Sequence, residues 1–383
     1  MAAKRILYLI NNLGSGGAQR QLLELARGLD PMRFKAIVCT YDSTDFFQYS
    51  SRYQSIDRIC VPKAYKFDPR FVHRIAKIIS EQNIDLLHTY LMAPTAWGYL
   101  ASVLLPTASQ VSLICSERSD AHEGPPHWKW IRRWIFPHFD RIICNSERAG
   151  RLLQTQLPGK ATDITVIPNG IELDYWAATP PADPHVDAVF QRLPPGRLTA
   201  VMVASFHPWK DHVTLIRAVR NLPDVRVVLA GKAVVPEAEK SARDMIEQLG
   251  LSDRVVIIDA VADVRTLYHH ADVVVLSSRF EGFPNVVLEG MATGLPVVST
   301  NVSDIGNWLS PGTHGYVVPI GDELAMADCL GTLATLPQEQ RRQMGKAARL
   351  LASSFSIDVM VNRTQACYDG VLMARGRRTN GPQ

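Results

Sequence analysis

Short apolar runs rich in β-branched residues recur along this chain, each closing at glycine or small polar residues before an amphipathic stretch. In the first half they are Ile6–Ile10, Phe34–Thr40, Asp85–Tyr90, Val111–Ser116, Arg141–Cys144 and Thr165–Pro168. In the second they are Leu198–Ala204, Val225–Ala230, Arg254–Ile258, Asp272–Leu276, Pro296–Thr300 and Gly315–Pro319. A run that is apolar throughout, rather than at alternate positions, is buried on both faces, as strands of a parallel sheet are. Strand–helix alternation repeated in this way predicts an α/β chain of doubly wound parallel sheets. The pattern lapses once, from Ile171 to Arg197, where Pro180, Pro181, Pro184, Pro194 and Pro195 crowd a stretch of little periodicity. The expected organisation is therefore an N-terminal domain over 1–178, a Pro-rich linker over 179–197 and a C-terminal domain over 198–355. A last helix over 356–373 packs back toward the first domain, and 374–383 form a basic, disordered tail.

The 383 residues are enough for two such domains facing a cleft. The net charge, +4 from 41 basic and 37 acidic residues, is too small to argue for a nucleic-acid partner. Six cysteines contain no CxxC pair, so neither a zinc site nor a disulfide framework is indicated. The apolar part of the N-terminus is too short for a signal peptide, and no run reaches the roughly 18 residues of a membrane span. A cytoplasmic protein is the expectation.

The densest chemistry lies in Ser277–Ala292. A strand ends, Gly282 and Pro284 turn the chain, and Asn285 is placed to cap a helix starting at Val286. The N–H groups of such a helix start favour an anion, a phosphate above all. Glu281 and Glu289 flank that point, Glu289 roughly 6 Å along the helix axis from Asn285. Carboxylates cannot hold a phosphate, but they suit the hydroxyls of a sugar or ribose. On this stretch alone, a solvated loop Glu plus a Glu favouring the helix dipole is an equal reading.

The first half opens strand, Gly14-Ser15-Gly16-Gly17, helix, strand, with Asp42 after the second strand. This approaches a dinucleotide-binding turn but fails at Gln19, where the third glycine belongs. His88 reads as the end of a parallel strand, where such sheets bind ligands, or as a hydrogen-bonded structural histidine. Trp128, Trp130 and Trp134 interleave with Lys129, Arg132 and Arg133. That pattern fits an anionic membrane surface, and equally an ordinary amphipathic helix packed on the sheet.

Three pieces of the second half stand in chain order: Val203–Lys210 with Ser205 and Lys210, then Ala230-Gly231-Lys232, then the Glu281…Glu289 stretch. Together they resemble the retaining, nucleotide-sugar-dependent glycosyltransferases of the GT-B fold, the group 1 or family 4 type. Ile167–Asp174, Gly290–Ser299, Gly315–Asp322 and Gly16–Gln19 extend the likeness over nearly the whole chain. The resemblance implies a retaining, metal-independent transferase of hexosyl type with no cofactor, the nucleotide-diphosphate sugar being its co-substrate. It assigns catalytic roles to Lys210, Glu281 and His88. Lys210 neutralises the diphosphate, Glu281 meets donor-sugar hydroxyls, and the amides near Pro284, Asn285 and Val286 bind phosphate. Glu289 holds the ribose diol, Gly231 and Val261 flank the nucleoside, and Gly16, Gly17 and His88 face the acceptor and transferred sugar. Ser205 stands where the family carries an arginine, so one cation is missing beside the diphosphate; His207 and Arg279 are candidate substitutes.

A saccharide or lipid-linked saccharide acceptor, and a place in bacterial surface polysaccharide or glycoconjugate synthesis at the inner membrane face, follow from the same resemblance. Three other readings are a nucleotide-sugar epimerase on this fold, a non-catalytic homologue, and an NAD-linked enzyme built on Gly14–Gly17.

Overall fold

The computed structural model describes residues 2–65, 67–106, 111–118, 127–157, 163–194 and 198–379. The chain divides into two compact units, residues 1–170 with 357–383, and residues 171–356. Each is built on one parallel sheet.

The first sheet comprises β1 (Lys4–Leu9), β2 (Phe34–Thr40), β3 (Asp57–Cys60), β4 (Leu86–Tyr90), β5 (Ser112–Glu117), β6 (Arg141–Cys144) and β7 (Ile164–Val166). Its order is β3-β2-β1-β4-β5-β6-β7. The second comprises β8 (Leu198–Val203), β9 (Val225–Ala230), β10 (Val255–Ile258), β11 (Val273–Leu276), β12 (Val297–Thr300) and β13 (Gly315–Val318), in the order β10-β9-β8-β11-β12-β13. Strand order reverses between β1 and β4 in one sheet and between β8 and β11 in the other. Loops leaving the carboxyl ends of neighbouring strands diverge at such a reversal and open a crevice there.

Successive side chains of a strand point to opposite faces, so the apolar runs feed two cores per sheet. Ile6, Tyr8 and Ile10 join one core of the first unit, and Leu7 and Leu9 join the other. The C-terminal helix Ile357–Thr379 belongs to the first unit, where Ile357, Met360, Val361, Tyr368 and Val371 complete one of those cores. Gln365 accepts from the Asp30 amide (2.9 Å), and Arg33 pairs with Asp369. Residues 374–379, expected in a disordered tail, are the last turns of this helix; 380–383 lie outside the described residues.

The expected linker is also different. It contains a helix, Pro184–Arg192, started by the Asp183 side chain accepting from the amides of His185 and Val186. Proline at the first helical position gives up a donor that has no intrahelical partner, so Pro184 starts this helix rather than breaking it. Val186 and Leu193 are buried in the second unit's core. Residues 195–197 lie outside the described residues.

The tryptophan-rich stretch is the helix His127–Ile135 of the first unit. Trp130 and Trp134 are exposed, whereas Arg132 is buried and paired with buried Glu117 at 3.2 Å. Arg132 thus anchors the helix to the carboxyl end of β5 and is withdrawn from any membrane contact. Removing one member of a buried pair strands the other charge. Arg132→Leu is therefore expected to lower unfolding stability by about 3–5 kcal/mol, and Arg132→Leu with Glu117→Leu to recover much of that. Chemical denaturation of the three proteins measures it, and equal losses for single and double variants would remove the anchoring role.

Candidate functional site

At the second unit's reversal, two loops leave adjacent strands and are bonded to one another. The loop after β8 runs through Ser205 to a short turn, Pro208–Lys210, capped by the His207 ring nitrogen accepting from the Trp209 amide (3.3 Å). Asp211 then adopts a left-handed backbone, φ 48°, uncommon for any residue but glycine. The loop after β11 starts at Ser277, whose buried hydroxyl reaches the carbonyls of Lys210 (3.1 Å) and Asp211 (2.9 Å). The Arg279 amide donates to the Trp209 carbonyl (2.7 Å), and its guanidinium to Asp211 (2.9 Å). Lys210 Nζ meets Glu281 Oε1 at 2.6 Å, and the Ser278 hydroxyl donates to the same oxygen at 2.7 Å. From the other side, Thr300 donates to the Ser278 carbonyl and Ser303 to that of Gly282.

The structure thus joins Lys210 and Glu281 directly, which the sequence placed only on the same edge. Arg279, a candidate substitute for the missing cation, is engaged by Asp211. His207 is occupied at Nδ1 as a cap. Lys232, given no role from sequence, is brought beside the loop that carries Ser205: the Phe206 amide donates to its carbonyl at 2.9 Å. Its side chain is exposed, and it has no ion pair among the described residues. The register of the loop after β9 against the loop after β8, which no spacing rule predicts, creates that proximity.

Gly231 permits it. A Cβ there would lie 1.9 Å from the Ala204 carbonyl oxygen, so only glycine lets the two loops touch. Val261, half-buried, follows β10 beside them. The helix of the signature stretch is Asn285–Ala292, with Pro284 as its N-cap residue and no capping side chain. Asn285 is its first helical residue rather than the cap, because Pro284, with φ −83° and ψ 79°, supplies the turn into the helix. Pro284, Asn285 and Val286 still present the helix start, and Glu289 is buried one turn further on. Gly290 brings this helix close to the sheet: a Cβ there would stand 2.6 Å from Val274 Cγ2 on β11.

In the first unit, Gly16 and Gly17 are exposed at the start of the helix Gly17–Gly28. Gly16 has an ordinary φ of −74°, so backbone freedom does not require glycine there; a Cβ would stand 2.4 Å from Gln19 Oε1. His88 is not at a strand end. It is the third of five residues in β4, fully buried, sharing hydrogen bonds with the Tyr368 hydroxyl (2.7 Å) and the Ser116 hydroxyl (2.8 Å). The structure therefore does not bring its ring to solvent; the strand continues two residues past it. Burial, with the Arg118 charge nearby, holds this imidazole neutral, its pKa well below the usual value.

Two family models match the chain, "Glycosyltransferase Family 4" over residues 15–175 and "Glycosyl transferases group 1" over residues 187–351. The chain belongs to the group 1 glycosyltransferases. Among its relatives is EpsF of Bacillus subtilis (strain 168), itself given only as a candidate glycosyltransferase, 27% identical over 79% of this chain and 80% of the relative. Another is the D-inositol 3-phosphate glycosyltransferase of Mycolicibacterium paratuberculosis, 27% identical over 74% of this chain and 66% of the relative. Anabaena HepE, solved with UDP and glucose, superposes with a TM-score of 0.82 at 20% identity, covering 95% of this chain and 99% of HepE. A glycosyltransferase of Rickettsia africae does so at 0.84 and 21%, covering 97% and 99%. The fold is GT-B, two Rossmann-like domains.

Below the site, His212 stacks on Phe206 at 4.3 Å between ring centres, and burial pushes its imidazole down to about 4. Between that value and the ordinary 6.5 or so, the unfolded chain binds a proton that the folded one does not. Stability is thus full above about pH 6.5 and falls as pH drops toward 4. His88, depressed for the same reason, adds to the trend. The thermal midpoint is expected to fall between pH 6.5 and 5, and His212→Asn to flatten that slope. An unchanged slope in the variant would show that His212 takes up no proton on unfolding.

Proposed function

We propose that this group 1 glycosyltransferase moves a hexosyl group from a nucleotide-diphosphate sugar to a saccharide or lipid-linked saccharide, with retention at the anomeric carbon. The observation that carries this reading is the joined set Lys210, Glu281, Ser278 and the helix start at Asn285, all at the reversal of the second sheet. In this reading Lys210 leaves Glu281 for the donor diphosphate, and Glu281 turns to the sugar hydroxyls. Lys210 Nζ and the helix amides stabilise charge as it builds on the departing phosphate, without a metal or cofactor. Glu289 takes the ribose diol, and Gly231 and Val261 border the nucleoside. Gly16 and Gly17 serve the acceptor, and His88 positions its strand from within the core. Ser205 offers one neutral donor, and Lys232 supplies the second cation. Solved HepE complexes with UDP and UDP-glucose support the donor class.

Retention follows a same-face course. The acceptor hydroxyl attacks as the bond from the anomeric carbon to phosphate oxygen breaks, and that oxygen takes the hydroxyl proton. Titration calorimetry with UDP, and transfer assays across nucleotide sugars, test the reading. Lys210→Ala and Glu281→Ala are expected to lower transfer at least about 100-fold, the scale for losing one charge-stabilising group. Lys232→Ala is expected to cost about tenfold, restored by adding Ser205→Arg. Transfer unaffected by Lys210→Ala, or a glycosyl adduct on the protein by mass spectrometry, would overturn the assignment.

Among the described residues no helix is long and apolar enough to cross a membrane. Trp130 and Trp134, one turn apart and exposed, share the helix His127–Ile135 with exposed Lys129 and Arg133. That outer face supports a peripheral location on an anionic bilayer, where lipid-linked acceptors of surface polysaccharide synthesis reside. Sedimentation with phosphatidylglycerol vesicles is expected to carry the protein down, and Trp130→Ser with Trp134→Ser to leave it in solution. Equal binding to neutral phosphatidylcholine vesicles would count against the electrostatic part.

A further inference from the structure

Partly or fully buried arginines of the first unit mostly meet carboxylates: Arg132 meets Glu117, Arg52 and Arg27 meet Glu24, and Arg58 meets Asp45. Arg118 does not. It follows β5 at the carboxyl edge of the sheet and is half-buried. Its side-chain partners among the described residues are all neutral. One terminal nitrogen donates to Asn169 Oδ1 at 2.7 Å; the other reaches the Tyr90 hydroxyl at 3.3 Å and the Ser116 hydroxyl at 3.5 Å. The group also lies over the Tyr90 ring, 5.0 Å from its centre. Among the described residues Arg118 forms no ion pair, and adjacent Glu117 is taken by Arg132.

The layer beneath does not cancel the charge either. Tyr8, His88, Tyr90 and Tyr368 are fully buried; the Tyr368 hydroxyl shares hydrogen bonds with the Tyr8 hydroxyl (3.0 Å) and His88 Nδ1 (2.7 Å), and the Tyr90 ring packs against His88, 4.7 Å between ring centres. Burial keeps the three phenols protonated and the imidazole neutral. A guanidinium held in a fixed fork by neutral acceptors keeps its full charge and open donor positions, which match a phosphate or carboxylate. The backbone beside it is also fixed in an unusual shape. Leu91, next to Tyr90, has φ 71°, a genuine outlier for a large side chain, and its amide donates to the Ser116 carbonyl. Asn169 is buried, and its neighbour Gly170 is clamped by Gln21 through two bonds of 2.8 Å, to carbonyl and amide. Arg118 is thereby tied to the helix that starts at Gly16 and Gly17.

We propose that Arg118 is an acceptor-specificity residue of the first unit: with Asn169 and Tyr90 holding it, it receives a phosphate or carboxylate carried by the acceptor. This rests on the transferase reading and narrows it to anionic acceptors. The shared chemistry has a second source, the donor diphosphate, and the experiment separates the two. The full-length protein, with and without saturating UDP, is titrated with glucose 6-phosphate, glucuronate and methyl α-glucoside. One charge-assisted fork predicts that the charged probes bind about tenfold or more tighter than the neutral one. Arg118→Gln is expected to erase that preference while leaving UDP affinity within about twofold. Arg118→Lys, which keeps the charge without the fork, is expected to retain part of it. Tyr90→Phe, which removes only the hydroxyl contact, is expected to weaken it less than Arg118→Gln and serves if that variant does not fold. Equal binding of charged and neutral probes to the native protein overturns the proposal, as does a preference that survives Arg118→Gln. Loss of UDP affinity in Arg118→Gln assigns the group to the donor and overturns it too. Failure of the native protein to bind UDP at all, with the charged-probe preference intact, would instead sink the transferase reading.

Discussion

The buried hydroxyl of Ser277 is the constraint on which the second unit's site depends. It is fully buried, and its single proton is shared between the carbonyls of Lys210 and Asp211. Those carbonyls belong to a turn whose next residue is left-handed, a shape that ordinary side chains adopt at some cost. Without that tie, nothing in the backbone preferences of Pro208–Asp211 would hold Lys210 toward the β11 loop. With it, the ammonium group is delivered to Glu281, and the unliganded edge is a neutral pair rather than two competing charges. On the proposed reading, a diphosphate bound there would exchange one partner of Lys210 for another, with the cation already oriented and little ordering left to complete.

The fold was readable because burial on both faces leaves a plain trace, uninterrupted β-branched runs, and both sheets carry it at every strand. The two errors of organisation came from residues with two physical meanings. Proline crowding marks a linker, yet Pro184 after Asp183 starts a helix. A basic, glycine-containing C-terminus reads as disorder, yet it continues a helix whose apolar side is paid for further upstream by Tyr368 and Val371. At the candidate site, Lys210, Gly231 and Glu281 are legible as loop residues following strands, and Glu289 as a helical residue. Their contacts are not, since Lys210 and Glu281 lie 71 positions apart and meet only through loop register. Of the two readings of His88 the structure bears out the hydrogen-bonded structural histidine: β4 runs two residues past it, which carries it from the sheet edge into the core.

The first unit handles polarity in the opposite way to the second. Its interior joins phenols, an imidazole and a serine in a connected set that carries no charge, because each ionised form would be stranded away from water. Such a layer specifies geometry at little electrostatic cost, and it links the C-terminal helix to the middle of β4 through Tyr368. Arg118, whose guanidinium lies over the Tyr90 ring of this layer, is left electrostatically prominent. Among the described residues neither Lys232 nor Arg118 forms an ion pair, and a linear sequence does not show which charges go unpaired.

The chain enters the second unit at Ile171 and leaves it at Ser356, and those residues pair as a short parallel bridge, with the Ile171 amide donating to the Phe355 carbonyl at 2.8 Å. Its two ends therefore lie side by side. A segment with adjoining ends can be excised, grafted or exchanged between related chains without re-routing the polypeptide that hosts it. Residues 171–356 thus have the form of a cassette, and recombination at that bridge would let one lineage pair an existing first unit with a new second unit.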